Sequence, residues 1–194
     1  MTLNTGKLRQ ILENKGIELQ EGLTEEEFEK IENFYNIKFP KVLKILYESF
    51  LPPFYNWRDF SEKNVETIKY YLNWPINGMK FDIAFNGFWL ECFGERTDDM
   101  EQNQIKAEEY MRNSKEEEVP RLIPIYSHRY VPSFPDSIDV PVFSVYQTDI
   151  IYYGNNIENY FEHEFNKNYK DDNKEGDIGT KEIPFWSHIV DLNI

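Results

Sequence analysis

The chain has 194 residues, of which 21 are Lys or Arg and 35 are Asp or Glu, so its formal net charge is −14. Apolar residues make up 40% of the chain and charged residues 29%, which is typical of globular rather than disordered proteins. The single cysteine, Cys92, excludes an intramolecular disulfide. The acid excess disfavours direct binding to nucleic acid, because phosphate contacts require Lys and Arg.

The N-terminus and the apolar runs of the chain bear on its location. Residues 1–9 lack the apolar core of a secretory signal. The longest apolar runs, such as Ile150–Tyr153, are too short to span a membrane. The sequence therefore predicts a cytoplasmic protein without a membrane-spanning segment.

The first fifty residues carry three helical patterns. Apolar residues recur at helical spacing from residue 5 up to Gly16, which is a plausible stop. A second helix is predicted after Thr24-Glu25-Glu26-Glu27, a capping box in which a Thr hydroxyl and a Glu carboxylate bind exposed backbone N–H groups. Pro40 can occupy the first position of a third helix that ends before Pro52-Pro53.

The next segment is rich in aromatic residues, and its pattern changes. We expect a helix over Asn64–Leu72 that ends at Trp74-Pro75. Two strands, Lys80–Phe85 and Gly87–Phe93, are predicted on either side of a hairpin-type Asn-Gly dipeptide. Residues 95–118 are strongly acidic and are expected to contain a partly exposed helix near Met100–Asn113.

The C-terminal part returns to strand patterns. Short β-branched or aromatic runs predict strands at Leu122–Tyr126, Val140–Gln147 and Asp149–Gly154. A capped helix follows over Ile157–Asn166, then a polar loop over residues 167–180 and a core segment over residues 183–190. The fold class is therefore predicted as one α+β domain over residues 1–194, with a mixed or antiparallel sheet and helices packed against it.

No cofactor, metal ligand or catalytic residue is predicted. The three histidines, His128, His163 and His188, are too far apart in sequence to form a helical zinc motif. Ser127-His128 and Ser187-His188 are neighbours, and side chains of adjacent strand residues point to opposite faces, so neither pair is expected to form a Ser–His hydrogen bond. Cys92 is expected to be a small buried residue of a strand.

A family resemblance begins with Gly22–Glu32 followed by Tyr35–Pro40. This stretch combines a capped acidic helix, a short turn with the sequence Ile-Lys-Phe-Pro and the start of another helix. It resembles the N-terminal signature of the SMI1/KNR4 family of the SUKH superfamily. The resemblance covers a core of about residues 20–190 with an acidic insertion at about 95–118. It extends more weakly through Asn86–Leu90, Val119–Tyr126, Val142–Tyr146 and Ile157–Phe165.

The resemblance implies an α+β sheet covered by helices and a binding role rather than an enzymatic one. Bacterial members of the family resemble immunity proteins that neutralise toxins, many of them nucleases, whereas fungal members are regulators linked to cell-wall synthesis. We therefore expect an immunity protein that binds a basic toxin domain. A regulatory scaffold for an endogenous protein or peptide is the alternative, and an enzyme acting on a small substrate is disfavoured. The sequence indicates no oligomeric state.

Two groups of residues are candidates for contact with such a partner. Carboxylates can occupy the positions that substrate phosphates take in a basic active site, and a tyrosine can anchor the contact. The alternatives are an ordinary solvated helix face for the acidic group and a strand end for the loop group. The acidic candidates are Asp98, Asp99, Glu101, Glu108, Glu109 and Tyr110. The loop candidates are His128, Arg129 and Tyr130.

Overall fold

The computed structural model describes residues 2–166 and 180–193. The prediction of a single α+β domain is confirmed, and the sheet is antiparallel. In chain order, the elements of the described residues are α1 (Thr5–Asn14), α2 (Glu25–Tyr35), α3 (Lys41–Ser49), α4 (Glu62–Phe85), a 3-10 turn (Glu91–Phe93), α5 (Met100–Asn113), β1 (Leu122–Tyr126), β2 (Arg129–Pro132), β3 (Val142–Tyr146), β4 (Asp149–Gly154), α6 (Ile157–Phe165) and α7 (Trp186–Leu192).

The four strands follow one another in the order β1-β2-β3-β4, and each pairs with its neighbour. Two-residue turns join β1 to β2 and β3 to β4, and each begins with a residue of positive φ, Ser127 or Gln147. Apolar side chains alternate between the two faces, because Ile123 belongs to one buried cluster and Leu122 to the other. Helices therefore cover both faces of the sheet.

The three predicted N-terminal helices are confirmed, and so is the capping box of α2. The Thr24 hydroxyl accepts from the Glu27 backbone N–H at 3.3 Å, and the Glu27 carboxylate accepts from the Thr24 N–H at 2.9 Å. The same carboxylate accepts from Arg58 Nε at 2.6 Å, and Arg58 also donates to the carbonyls of Glu21 and Gly22. One glutamate thus joins the helix start to a chain segment beyond α3.

These contacts make stability depend on the charge of Glu27. Hydrogen bonds from Arg58 and from the Thr24 backbone lower the pKa of Glu27 from 4.5 to about 2. A carboxylate whose pKa is lower in the folded state stabilises the protein at pH values above its unfolded-state pKa. This stabilisation is lost as the pH falls toward the folded-state pKa of about 2.

We expect Glu27→Gln to lower the melting temperature at pH 7 and to flatten the fall of the melting temperature between pH 5 and 2. Glu25→Gln, at an exposed neighbour, is the control, and an equal acid response in both variants would contradict the assignment.

The helix predicted to end at Trp74-Pro75 instead continues to Phe85, so the strands predicted at Lys80–Phe85 and Gly87–Phe93 are wrong. Proline lacks the N–H that would bind the carbonyl four residues earlier, here that of Tyr71. The hydroxyl of Tyr130 on β2 donates to this carbonyl oxygen at 2.9 Å. The buried Tyr130 hydroxyl thus replaces the missing backbone hydrogen bond, and α4 continues past Pro75.

The substitution Tyr130→Phe tests this replacement. It leaves the Tyr71 carbonyl without its donor and should lower the free energy of unfolding by about 1–2 kcal/mol. In a Pro75→Ala background the restored N–H can bind the same carbonyl, so the loss should shrink. Urea denaturation of the four proteins measures both losses, with Tyr146→Phe at an exposed tyrosine as the control. Equal losses in both backgrounds would rule out the replacement.

Three residues at four-residue spacing hold α4 against the end of the β3–β4 hairpin. Trp74 Nε1 donates to the Val145 carbonyl at 2.9 Å. The helix backbone approaches the turn so closely at Gly78 that a Cβ there would lie 2.7 Å from Gln147 Cα. The buried Asp82 carboxylate accepts from the Thr148 backbone N–H at 2.8 Å and from its hydroxyl at 2.6 Å.

The later elements agree with expectation, apart from one strand. The helix near Met100–Asn113 and the helix beginning at Ile157 are confirmed, and so are three of the four strands. Strand β2, a four-residue strand that ends in Pro132, was not predicted from the sequence. The predicted loop over 167–180 lies outside the described residues except for Thr180. Ile183 and four residues of α7 are buried, as expected for this segment, whereas Pro184 and His188 are exposed.

Candidate functional site

Exposed aromatic residues form a stripe along the outer face of α4. Tyr70, Phe81 and Phe85 have exposed fractions of 52%, 44% and 73%. Each lies two positions after a buried residue of the helix, which turns it about 200° away from the core. The rings of Phe81 and Phe85 are 4.8 Å apart, and Tyr70 contacts the half-buried Trp74 at 5.5 Å.

Helix α5 runs antiparallel beside α4 and is joined to it by polar contacts. Lys80 Nζ donates to Glu108 at 2.5 Å, and Gln104 donates to the Lys80 carbonyl at 2.8 Å. Arg112 donates to Glu108 at 2.8 Å and to the Asn73 side-chain oxygen at 2.7 Å. These two cations lower the pKa of Glu108, which therefore stays charged but is paired inside the helix–helix contact.

The predicted acidic candidates do not share one environment. Glu101 and Glu109 lie on the outer face of α5, opposite the side that buries Asn103, Ala107 and Met111. These two carboxylates therefore point outward on the same side of the helix pair as the aromatic stripe. We call the combined surface the outer α4–α5 face.

The other acidic candidates lie elsewhere. Asp98 is exposed just before α5, and Asp99 caps the helix by accepting from the Gln102 N–H at 3.1 Å. Glu108 is shared between Lys80 and Arg112, as described. Tyr110 points away from the outer α4–α5 face. Its ring packs against Phe93 and Phe185, with ring centroids 5.7 and 6.1 Å away.

The loop candidates do not form one contact surface. The Tyr130 side chain is fully buried and donates a hydrogen bond to the Tyr71 carbonyl of α4, so a partner cannot reach it. Arg129 is largely buried. Its guanidinium lies 3.6 Å from the centroid of the Tyr153 ring, and its Nε is 3.7 Å from Glu164 Oε2. Of the three, His128 alone sits in the turn, and burial is the main cause that lowers its pKa.

A double-mutant cycle tests the Arg129–Glu164 pair. Arg129→Met leaves the largely buried Glu164 carboxylate without its cation and should lower the free energy of unfolding by about 2 kcal/mol. Combining it with Glu164→Leu removes both charges and should restore part of that loss. Urea denaturation measures all four proteins. Strictly additive losses would show that the two charges do not depend on each other.

Two expectations about nucleophiles need correction. Ser127 Oγ lies 3.1 Å from His128 Nδ1, because both residues occupy the turn and not a strand. Cys92 belongs to the 3-10 turn and is exposed, although partial burial raises the pKa of its thiol. Within residues 2–166 and 180–193, no three His, Cys, Asp or Glu side chains are grouped so that they could hold a metal ion.

Comparisons with known proteins give no relative for the chain. No protein-family model, curated protein or solved structure matches it. The resemblance to the SMI1/KNR4 family therefore rests on the sequence motif alone. No helix in the described part of the chain has the length and apolar character needed to cross a bilayer.

The aromatic stripe was not predicted from the sequence, because Phe81 and Phe85 were expected in strands. The relevant signal was present, since residues 70, 74, 81 and 85 follow the spacing of one helix face. The spacing was not followed beyond Pro75, because a proline inside a helical pattern normally indicates the end of the helix.

Proposed function

We propose that the protein is an immunity protein that binds a basic toxin domain through the outer α4–α5 face and blocks its action. The observation that carries this proposal is the exposed aromatic stripe of α4, which lies on the same side of the helix pair as the outward carboxylates of α5. The family resemblance supplies the functional class, and the net charge of −14 favours a basic partner.

The aromatic residues are suited to anchoring a protein partner. Aromatic side chains are enriched at protein interfaces and often dominate their binding energy. Phe85 exposes 73% of its surface and Phe81 44%, so burying both would remove a large apolar area from water. The contacts of Trp74 and Asp82 fix α4 on the hairpin, which reduces the ordering cost of binding.

The carboxylates are suited to selecting a basic partner. Glu101 and Glu109 point outward on the same side of the helix pair as the stripe, and Asp98 is exposed just before α5. A nuclease binds phosphate through Lys and Arg, so its active site attracts carboxylates as well. A toxin of this class would be drawn to the face by charge and held there by the aromatic rings.

Binding to the toxin encoded beside this gene tests the proposal. Co-expression should restore growth, and Phe81→Ser combined with Phe85→Ser should abolish that rescue. With purified toxin domain, the double substitution should weaken Kd about 30-fold or more, as expected for the loss of binding anchors. Leu192→Ser, at an exposed leucine of α7, is the matched control and should leave Kd unchanged.

Charge reversal on α5 distinguishes the attraction of a basic partner by the carboxylates from its anchoring by the aromatic residues. Glu101→Lys with Glu109→Lys should slow association mainly at low salt, whereas Glu18→Lys, an exposed charge outside the face, should have a smaller effect. Failure to rescue growth against a toxin shown to be active would contradict the immunity role. Capture of an endogenous protein that depends on Phe81 and Phe85 would then favour the regulatory scaffold.

A further inference from the structure

A cleft of about 450 Å³ lies between the end of α2, the middle of α4, the end of α5 and the start of β1. Its volume falls in the range typical of small-molecule sites. The apolar lining includes Leu72, Ile76, Met111, Leu122 and Trp186. The last three of these side chains are buried in the core, so the cleft has a fixed apolar floor.

The charge of the cleft is opposite to that of the protein. Among the described residues that line it, Lys69, Arg112 and Arg121 are cationic and none is acidic. Two of these cations have a carboxylate partner outside the lining, Glu108 for Arg112 and Glu116 for Arg121, whereas Lys69 has no ion pair among the described residues. The lining itself therefore favours an anionic ligand.

Neighbouring groups orient the two guanidinium groups and leave donors available. Arg112 uses Nε for Glu108 and Nη2 for Asn73. Arg121 uses Nη1 for the Asn36 carbonyl, and its Nε lies 3.6 Å from Glu116 Oε1. In residues 2–166 and 180–193, Arg112 Nη1 and Arg121 Nη2 have no hydrogen-bond partner, and Lys69 has no ion pair. Held guanidinium groups with remaining N–H donors are well suited to binding carboxylate or phosphate oxygens.

We propose that this cleft binds a small organic anion that has an apolar body. The anionic group contacts Lys69, Arg112 and Arg121 at the rim, and the apolar body covers the floor beside Ile76 and Trp186. An inorganic anion would satisfy the rim and leave the floor wet, whereas a neutral apolar molecule would leave the cations unpaired. The ligand class therefore combines both properties.

A pair of fluorescent probes tests the site. 8-Anilinonaphthalene-1-sulfonate is anionic, and N-phenyl-1-naphthylamine has the same apolar body without the charge. We expect saturable binding of the anion with one site per chain and roughly tenfold weaker binding of the neutral probe. Lys69→Gln should weaken binding of the anionic probe about tenfold and leave binding of the neutral probe unchanged. Lys63→Gln, at an exposed lysine of α4 outside the cleft, is the control.

Competition identifies which part of the ligand is recognised. Octanoate should displace the anionic probe about tenfold better than hexanoate, because each buried methylene adds affinity. Inorganic phosphate at equal ionic strength should not displace the anionic probe. The proposal is overturned if phosphate competes as well as octanoate, or if Lys63→Gln has the effect of Lys69→Gln. Loss of probe binding in the Phe81→Ser and Phe85→Ser protein would also overturn it, by assigning the signal to the aromatic stripe.

Discussion

A single buried hydroxyl group supplies the hydrogen bond that the longest helix of the described residues lacks at its proline. Pro75 removes one backbone donor from α4, and the Tyr130 hydroxyl supplies a donor to the Tyr71 carbonyl in its place. Because the helix continues, Trp74 and Asp82 reach the β3–β4 hairpin and the aromatic residues align on one outer face. The same helix also forms one wall of the cationic cleft.

How far the fold could be predicted depended on where the deciding contact lies in the chain. Helix α2 carries its own start signal in Thr24 and Glu27, three residues apart, and was predicted correctly. The contact that rescues α4 joins Tyr71 to Tyr130, which are 59 positions apart. Sequence periodicity reports local preference, so it could not anticipate a donor supplied from another element. Strand β2 is too short to give a clear pattern of its own.

The candidate surface was predicted in part for the same reason. Composition and helical spacing predicted α5 and named Glu101 and Glu109 as candidate contacts, and the structure shows that both lie on the side opposite its buried residues. Charge pattern could not show that Glu108 is already paired with Lys80 and Arg112. Tyr130 was predicted to be a contact residue of a loop, but it lies in β2, where helices cover both faces of the sheet, and its side chain is buried. A tertiary structure was needed to separate these cases.

Helix α4 belongs to both apolar clusters of the molecule. Ile68 packs in the cluster on one side of the sheet, and Met79 and Ile83 pack in the other. Neither cluster can come apart without exposing residues of a helix that the other cluster requires, so the two halves are coupled into one cooperative unit. A molecule that binds to α4 at either end therefore raises the stability of both halves at once, through mass action on a shared element.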